Sequence, residues 1–412
     1  MAGTRRGSDG REQRHALARR LDRAVAALED PAAPLVVVDL DAFDANLGDL
    51  RRRAAGTPIR VASKSLRVPA LLSRALASPG FSGVLGYTLR EALWLVREGV
   101  ADDVVVGYPS VDRGALRDLM ADTVARDQVT LMVDHPDHLR LIEEADPVGS
   151  GARIAIDVDA GLRLGRGRAQ QHFGPKRSPL HDVEDVLSFA REIVRRGHHL
   201  VGVMTYEGQV AGLQDDVPGQ RARSMIVRRI KKASVNQLLT RRDEISRGLA
   251  AVADLEFWNA GGSGSIESTA ADPHVTEVAA GSGLLVPGLF DHYRSFDPVP
   301  AAFFGLGVVR RPAPGIVTVA GGGFVASGPA GADRLPVPWA PPDLQLTGLE
   351  GAGEVQTPLS GNGTARLGIG DRVWFRHAKS GEVAEHTNLV HLLAGETILE
   401  SVPSYRGLGL AW

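Results

Sequence analysis

Up to about residue 290 the apolar positions fall into two alternating patterns. Short runs are apolar at nearly every position: Leu35–Leu40, Ile59–Ala62, Gly83–Tyr87, Val104–Gly107, Thr130–Val133, Ile154–Val158, Leu200–Thr205 and Leu255–Trp258. Between them, apolar residues recur only every third or fourth position, over Phe43–Arg53, Ala70–Leu76, Glu91–Glu98, Ala115–Val124, Pro136–Glu144, Val183–Arg195 and Arg221–Ala253. The first pattern is that of strands buried on both faces, the second that of helices with one apolar stripe. Such strands joined by such helices need a parallel sheet covered on both sides, and eight or nine of them favour a closed barrel over an open sheet. A polar tail and a helix at Gln13–Leu28, with Leu17, Leu21, Val25 and Leu28 at helical spacing, precede the alternation.

Beyond Asp291 the helical period stops. Short β-like runs such as Ile316–Val319, Leu344–Leu346, Arg372–Phe375 and Leu389–Leu392 follow, separated by Gly and Pro clusters such as Arg311–Gly315. The pattern predicts an α/β protein in three parts: a tail and helix over residues 1–30, a parallel (β/α)8 TIM-type barrel over 31–294, and a C-terminal all-β domain over 295–412.

Composition narrows the function. The chain has 412 residues, 47 basic against 49 acidic side chains, and no cysteine. Balanced charge implies no polyanionic partner, and the missing thiols exclude disulfides, thiolate metal sites and a thiol nucleophile. The polar, basic N-terminus lacks an apolar core and no run of about 18 apolar residues occurs, so a cytoplasmic protein without membrane contact is expected. The arginines and lysines between Arg221 and Arg242 lack interleaved aromatics, and read as the solvated face of an outer barrel helix rather than a nucleic-acid surface.

Two stretches carry candidate chemistry. In Thr57–Pro69 an apolar strand ends on Lys64 between two serines, and Pro69 opens a helix, which puts the lysine on the catalytic rim of a parallel barrel. An amine desolvated there can attack a carbonyl and form a Schiff base; the alternative is a surface lysine past a strand end. Asn259–Ser265 follows a late strand, and its small residues and hydroxyls suit either a phosphate cradle or a flexible turn.

The chain resembles the fold-type III pyridoxal-phosphate enzymes, the alanine racemase-like group with D-serine dehydratases and D-threonine aldolases, and most of all the bacterial amino acid deaminase/aldolase proteins. The likeness lies in Leu35–Asp41, the Lys64 stretch, Asp157–Gly165, Arg177-Ser178-Pro179, Gly261–Ser265 and Arg376–Glu382, in the family's order. It implies that Lys64 carries pyridoxal 5'-phosphate and that Gly262, Ser263 and Gly264, with Ser282, hold the phosphate. Gly283 stands where many relatives have tyrosine. Arg163 is a candidate for orienting the cofactor or a substrate carboxylate, though many members have one more residue before the arginine; pairing with Asp157 or Asp159 is the alternative. Tyr206 is a candidate to contact the ring and take part in catalysis, and Glu207 to act as acid or base. The basic residues of the 165–180 loop, His172, Lys176 and Arg177, suit an anionic substrate.

D-serine dehydratases and D-threonine aldolases hold a divalent ion through a histidine followed two residues later by Cys or Asp. Here that segment reads His377-Ala378-Lys379, leaving His377 as the metal candidate with Glu382, Glu385 and His386 nearby. The resemblance further implies a homodimer, with the small domain docked over a partner's barrel mouth. The activity it implies is aldol cleavage or dehydration of a β-hydroxy D-amino acid of the D-threonine or D-serine type. Amino acid racemisation and a non-catalytic cofactor carrier are the alternatives.

Overall fold

The computed structural model describes residues 3–412 apart from residues 30, 32, 166 and 297. Eight parallel strands close into a barrel: Ile59–Ala62, Phe81–Gly86, Val104–Val106, Val129–Val133, Arg153–Asp157, His199–Thr205, Phe257–Ala260 and Glu277–Ala280. Closure is made where Val278 pairs with Ile59. Inside, Val105, Met132, Ala155, Val201, Met204 and Phe257 pack into one cluster. Arg60, bonded to Glu277 and Asp103, adds a buried ion network. The outward faces of the strands meet the helices, whose starts are fixed locally. Thr88 accepts the amide of Glu91 at the head of Leu89–Arg97, Asp112 accepts those of Gly114 and Ala115, and Pro69 takes the first position of Pro69–Leu76.

The strand Leu35–Asp39, expected as the start of the barrel series, lies elsewhere. It is a central strand of a nine-stranded sheet, antiparallel to Ala302–Ala313 and parallel to Leu389–Ala394. Both its faces are covered, as the continuous apolar run required. Leu35 and Val37 pack with Leu21 and Val25 of the N-terminal helix, and Val36 and Val38 with the main core. Full burial says only that a strand is covered on two sides, and this sheet, with the helix Gly3–Val25 on one face, meets that need as well as a barrel does. The barrel's place is taken by Glu277–Ala280. Beyond the barrel the chain is otherwise mostly β, with short 3-10 turns. Among the described residues no helix is long and apolar enough to cross a membrane.

The long basic helix, Arg221–Leu249, is only partly a solvated face. Arg241 and Arg242 are buried, the first donating to the carbonyl of Asp159 and the second to Thr205, Glu207 and Asp272. These two arginines brace the loops at the barrel's C-terminal end.

Candidate active site

The strand Ile59–Ala62 runs straight into a single 3-10 turn, Ser63–Ser65, which presents Lys64 at the C-terminal rim. There it lines a cavity of about 300 Å³ together with Tyr108, Arg177, Tyr206, Gly262, Ser263, Ser282 and Lys379. The amine of Lys64 donates to the phenol oxygen of Tyr108 at 2.9 Å. The Arg177 guanidinium lies 5.3 Å from the ring centre of Tyr108 and 5.5 Å from that of Tyr206. Burial by itself would raise the Tyr108 phenol, but the charge and hydrogen bond of Lys64, with the charges of Arg177 and Lys379, bring it below the ordinary tyrosine value. Tyr206 is buried more deeply, and that burial raises its phenol.

One wall is built of glycines for lack of room. A β-carbon at Gly264 would fall on the carbonyl of Ala211, and one at Gly281 would lie 2.6 Å from the carbonyl oxygen of Ala62. Ser263 Oγ accepts the amides of Gly281 at 3.4 Å and Gly283 at 2.9 Å, tying the two loops together. The amides of Ser263, Gly264 and Ser282 find no acceptor within the chain among the described residues. Behind this wall Glu207 accepts from the amide of Gly261, from Ser265 and Thr269, and from Arg242. Glu207 is therefore spent on holding the glycine loop, not free as an acid or base. At Gly283 a β-carbon would already touch Ser263 and Leu50 at 3.0 and 3.1 Å, so this chain has no space for a tyrosine there.

The sequence profile of the alanine racemase N-terminal domain matches residues 38–286, more than half of the chain. The chain belongs to this family of fold-type III pyridoxal-phosphate barrels. Solved structures share the fold across nearly the whole length of this member. D-Threonine aldolase from Filomicrobium marinum superposes with a TM-score of 0.74 at 20% identity, covering 92% of this chain and 97% of its own. D-threo-3-hydroxyaspartate dehydratase from Delftia sp. HT23 gives 0.70 at 19% identity, with 94% and 100% covered. An alanine racemase-like protein from Idiomarina loihiensis gives 0.66 at 13% identity, with 93% and 98% covered. Among curated proteins no match is found.

The family implies pyridoxal phosphate, and the residues present fit it. A primary amine lines the cavity together with Ser263 and Ser282, whose amides have no acceptor within the chain among the described residues, and with Gly281, where a β-carbon would clash. Of the residues expected from the sequence, Lys64, Tyr206, Gly262, Ser263 and Ser282 line the cavity, and Gly264 packs just behind its wall. Arg163 does not line it. Its guanidinium pairs with Asp159 at 3.2 Å and its amide bonds Gln237, as the shortened spacing before it allows. The arginines that line the cavity are Arg177 and Arg334, and of these Arg177 lies against Tyr108 and Tyr206. The 165–180 insertion begins as a hairpin, Leu162–Leu164 against Gln171–Phe173, then turns back and delivers Arg177 to the mouth, while His172 stays on Asp159. The sequence marks Tyr108 only by its place just past a strand end. Two strands further round the barrel, at the end of Arg153–Asp157, burial and the charge of Asp134 push Asp157 up to about 7.

A divalent ion fits less well. A mutant of a D-threo-3-hydroxyaspartate dehydratase is known in a metal-free form, which names a metal for that protein. Here His377 is fully buried, its Nε2 meets Ser380 Oγ at 3.2 Å, and burial beside Arg376 pushes its imidazole down to about 3. Glu385 pairs with Arg67, His386 stacks on Phe324, and Glu382 holds Ser327 and Lys379. No group of three His, Asp or Glu side chains converges among the described residues.

Proposed function

We propose that this protein is a pyridoxal-phosphate-dependent lyase that acts on a β-hydroxy D-amino acid of the D-serine or D-threonine type, by dehydration or aldol cleavage. The observation that carries this reading is the convergence on one cavity of the Lys64 amine, the Tyr108 phenol, the Arg177 guanidinium and the glycine wall. When bound, the cofactor supplies an electron sink for a carbanion at the substrate's Cα. Lys64 would carry the cofactor, and its amine would be the group to take up the α-proton. Tyr108 holds that amine in place through its hydroxyl and, with its lowered phenol, is suited to share a proton with it. Arg177 offers a planar fork of donors to the α-carboxylate. The amides of Ser263, Gly264 and Ser282 receive the phosphate, and Tyr206 flanks the ring. Leu289, Phe290 and Tyr293 line the same cavity and give it apolar surface. The comparisons support the reading through an aldolase and a dehydratase that share the fold. A competing racemase would return the proton to Cα and release no fragment.

The test is product analysis of the purified protein loaded with cofactor. D-Serine or D-threonine should yield a 2-oxo acid and ammonia, or glycine and an aldehyde. Recovery of the opposite enantiomer with no fragment would overturn the lyase reading.

A further inference from the structure

Lys379 comes from the mostly β part of the chain, just after the strand Arg372–Arg376, yet it lines the same cavity as Lys64 and Arg177. Two contacts fix its ammonium: it donates to the hydroxyl of Ser327 and to Glu382 Oε1, the latter at 3.0 Å. Its charge is among those that lower the Tyr108 phenol, so it acts electrically within the site. The histidine two residues before it is turned into the protein, onto Ser380. A divalent ion held near this segment would need lone pairs. What the chain offers is a group with three protons and none.

We propose that Lys379 is the proton donor to the substrate's β-hydroxyl, so that the reaction is a metal-independent elimination. The inference rests on the lyase reading above and narrows it. The Cα–H bond breaks and its proton passes to Lys64. The Cβ–O bond breaks as a Cα–Cβ double bond forms, and the departing hydroxyl takes a proton from the Lys379 ammonium and leaves as water. Lys379 regains its proton from solvent. The released enamine tautomerises and is hydrolysed to a 2-oxo acid and ammonia, so one water is lost, one is consumed, and nothing is oxidised or reduced. Aldol cleavage has the opposite requirement: the β-hydroxyl must give its proton to a base, and an ammonium cannot accept it. Glu382, the one carboxylate bonded to Lys379 among the described residues, holds the amine in place at 3.0 Å.

The experiment compares the cofactor-loaded wild type with Lys379→Met and Lys379→Arg on D-serine and D-threonine, before and after dialysis against EDTA. Release of 2-oxo acid and of glycine is followed together with exchange of the α-hydrogen for deuterium. Wild-type 2-oxo acid release is expected to survive EDTA. Lys379→Met should slow it by about 10²-fold or more, the scale of a lost general acid, while keeping the visible cofactor band. The ratio of α-exchange to product release should rise by the same factor, which a merely structural role would not produce, and Lys379→Arg should recover part of the rate. If Lys379→Met loads no cofactor, Lys379→Gln is read in the same way. Loss of activity in EDTA restored by a divalent ion, glycine and aldehyde as products, or wild-type release by Lys379→Met would each overturn the inference while leaving the lyase reading standing. Absence of both α-exchange and a cofactor band would overturn the lyase reading itself, and the inference with it.

Discussion

Lys64 and Tyr108 meet across the barrel mouth, the amine of one donating to the phenol oxygen of the other at 2.9 Å. They come from the ends of the first and third barrel strands, which flank Phe81–Gly86 in the sheet, so parallel pairing brings together two residues 44 positions apart in the chain. The pair couples a future nucleophile to a proton-bearing group, and it marks Tyr108 out from the other tyrosines.

Of the five tyrosines in the chain, Tyr87, Tyr206, Tyr293 and Tyr405 are all raised, in each case first by burial, whereas Tyr108 is lowered. Ultraviolet titration of the cofactor-free protein should show one tyrosine ionising below the usual value near 10 and four above it. Tyr108→Phe should remove the early step, and Lys64→Met should move it upward. Five tyrosines titrating together would contradict the geometry.

Asp157 is raised, so its folded value lies above its unfolded one. Its contribution to stability is complete at low pH and is lost as pH rises through about 7. Asp157→Asn should therefore match wild type near pH 4 and exceed it by roughly 4 kcal/mol at pH 8, as read from denaturant midpoints across pH. A variant less stable than wild type at pH 8 would show that the carboxylate is needed charged.

Gly381 adopts a φ of +91°, and a β-carbon there would fall inside the carbonyl oxygen of Lys64. The backbone carrying the candidate nucleophile is thus clamped by the segment that carries Lys379. Gly381→Ala should cost roughly 2–4 kcal/mol in thermal or chemical unfolding and should impair cofactor loading as well. An unchanged melting temperature would rule out the clamp.

Arg177→Gln should raise KM for the amino acid by roughly 10- to 100-fold with a smaller change in kcat, the expected signature of a lost carboxylate contact, and Arg177→Lys should fall between. The same loss from Arg163→Gln, with Arg177→Gln silent, would return the role to the arginine that the structure places on Asp159.

Much of this was legible in the sequence. A lysine between a short apolar run and Pro69, and a glycine-rich turn after a late strand, are local signals, and the structure brings both to one cavity. Arg163 and Arg177 show the limit. One residue fewer before Arg163 was visible, but where a returning hairpin would deliver Arg177 is a three-dimensional fact. Leu35–Asp39 reads like a barrel strand because burial on both faces leaves the same apolar run whichever sheet supplies the cover. Glu207 and Arg242 look like rim chemistry and surface charge in one dimension; folded, they satisfy each other behind the glycine wall. In the sequence Lys379 only fills the position where relatives carry Cys or Asp, and its place in the cavity depends on folding that brings it to Lys64, more than 300 residues away in the chain.

The most direct test of the central claim is to add pyridoxal phosphate to the purified protein, record the visible spectrum before and after borohydride, and map the modified peptide. The account predicts a visible band that borohydride abolishes, with the reduced cofactor fixed on Lys64 and no band in Lys64→Ala. A protein that takes up no cofactor, or carries it on another lysine, would contradict it.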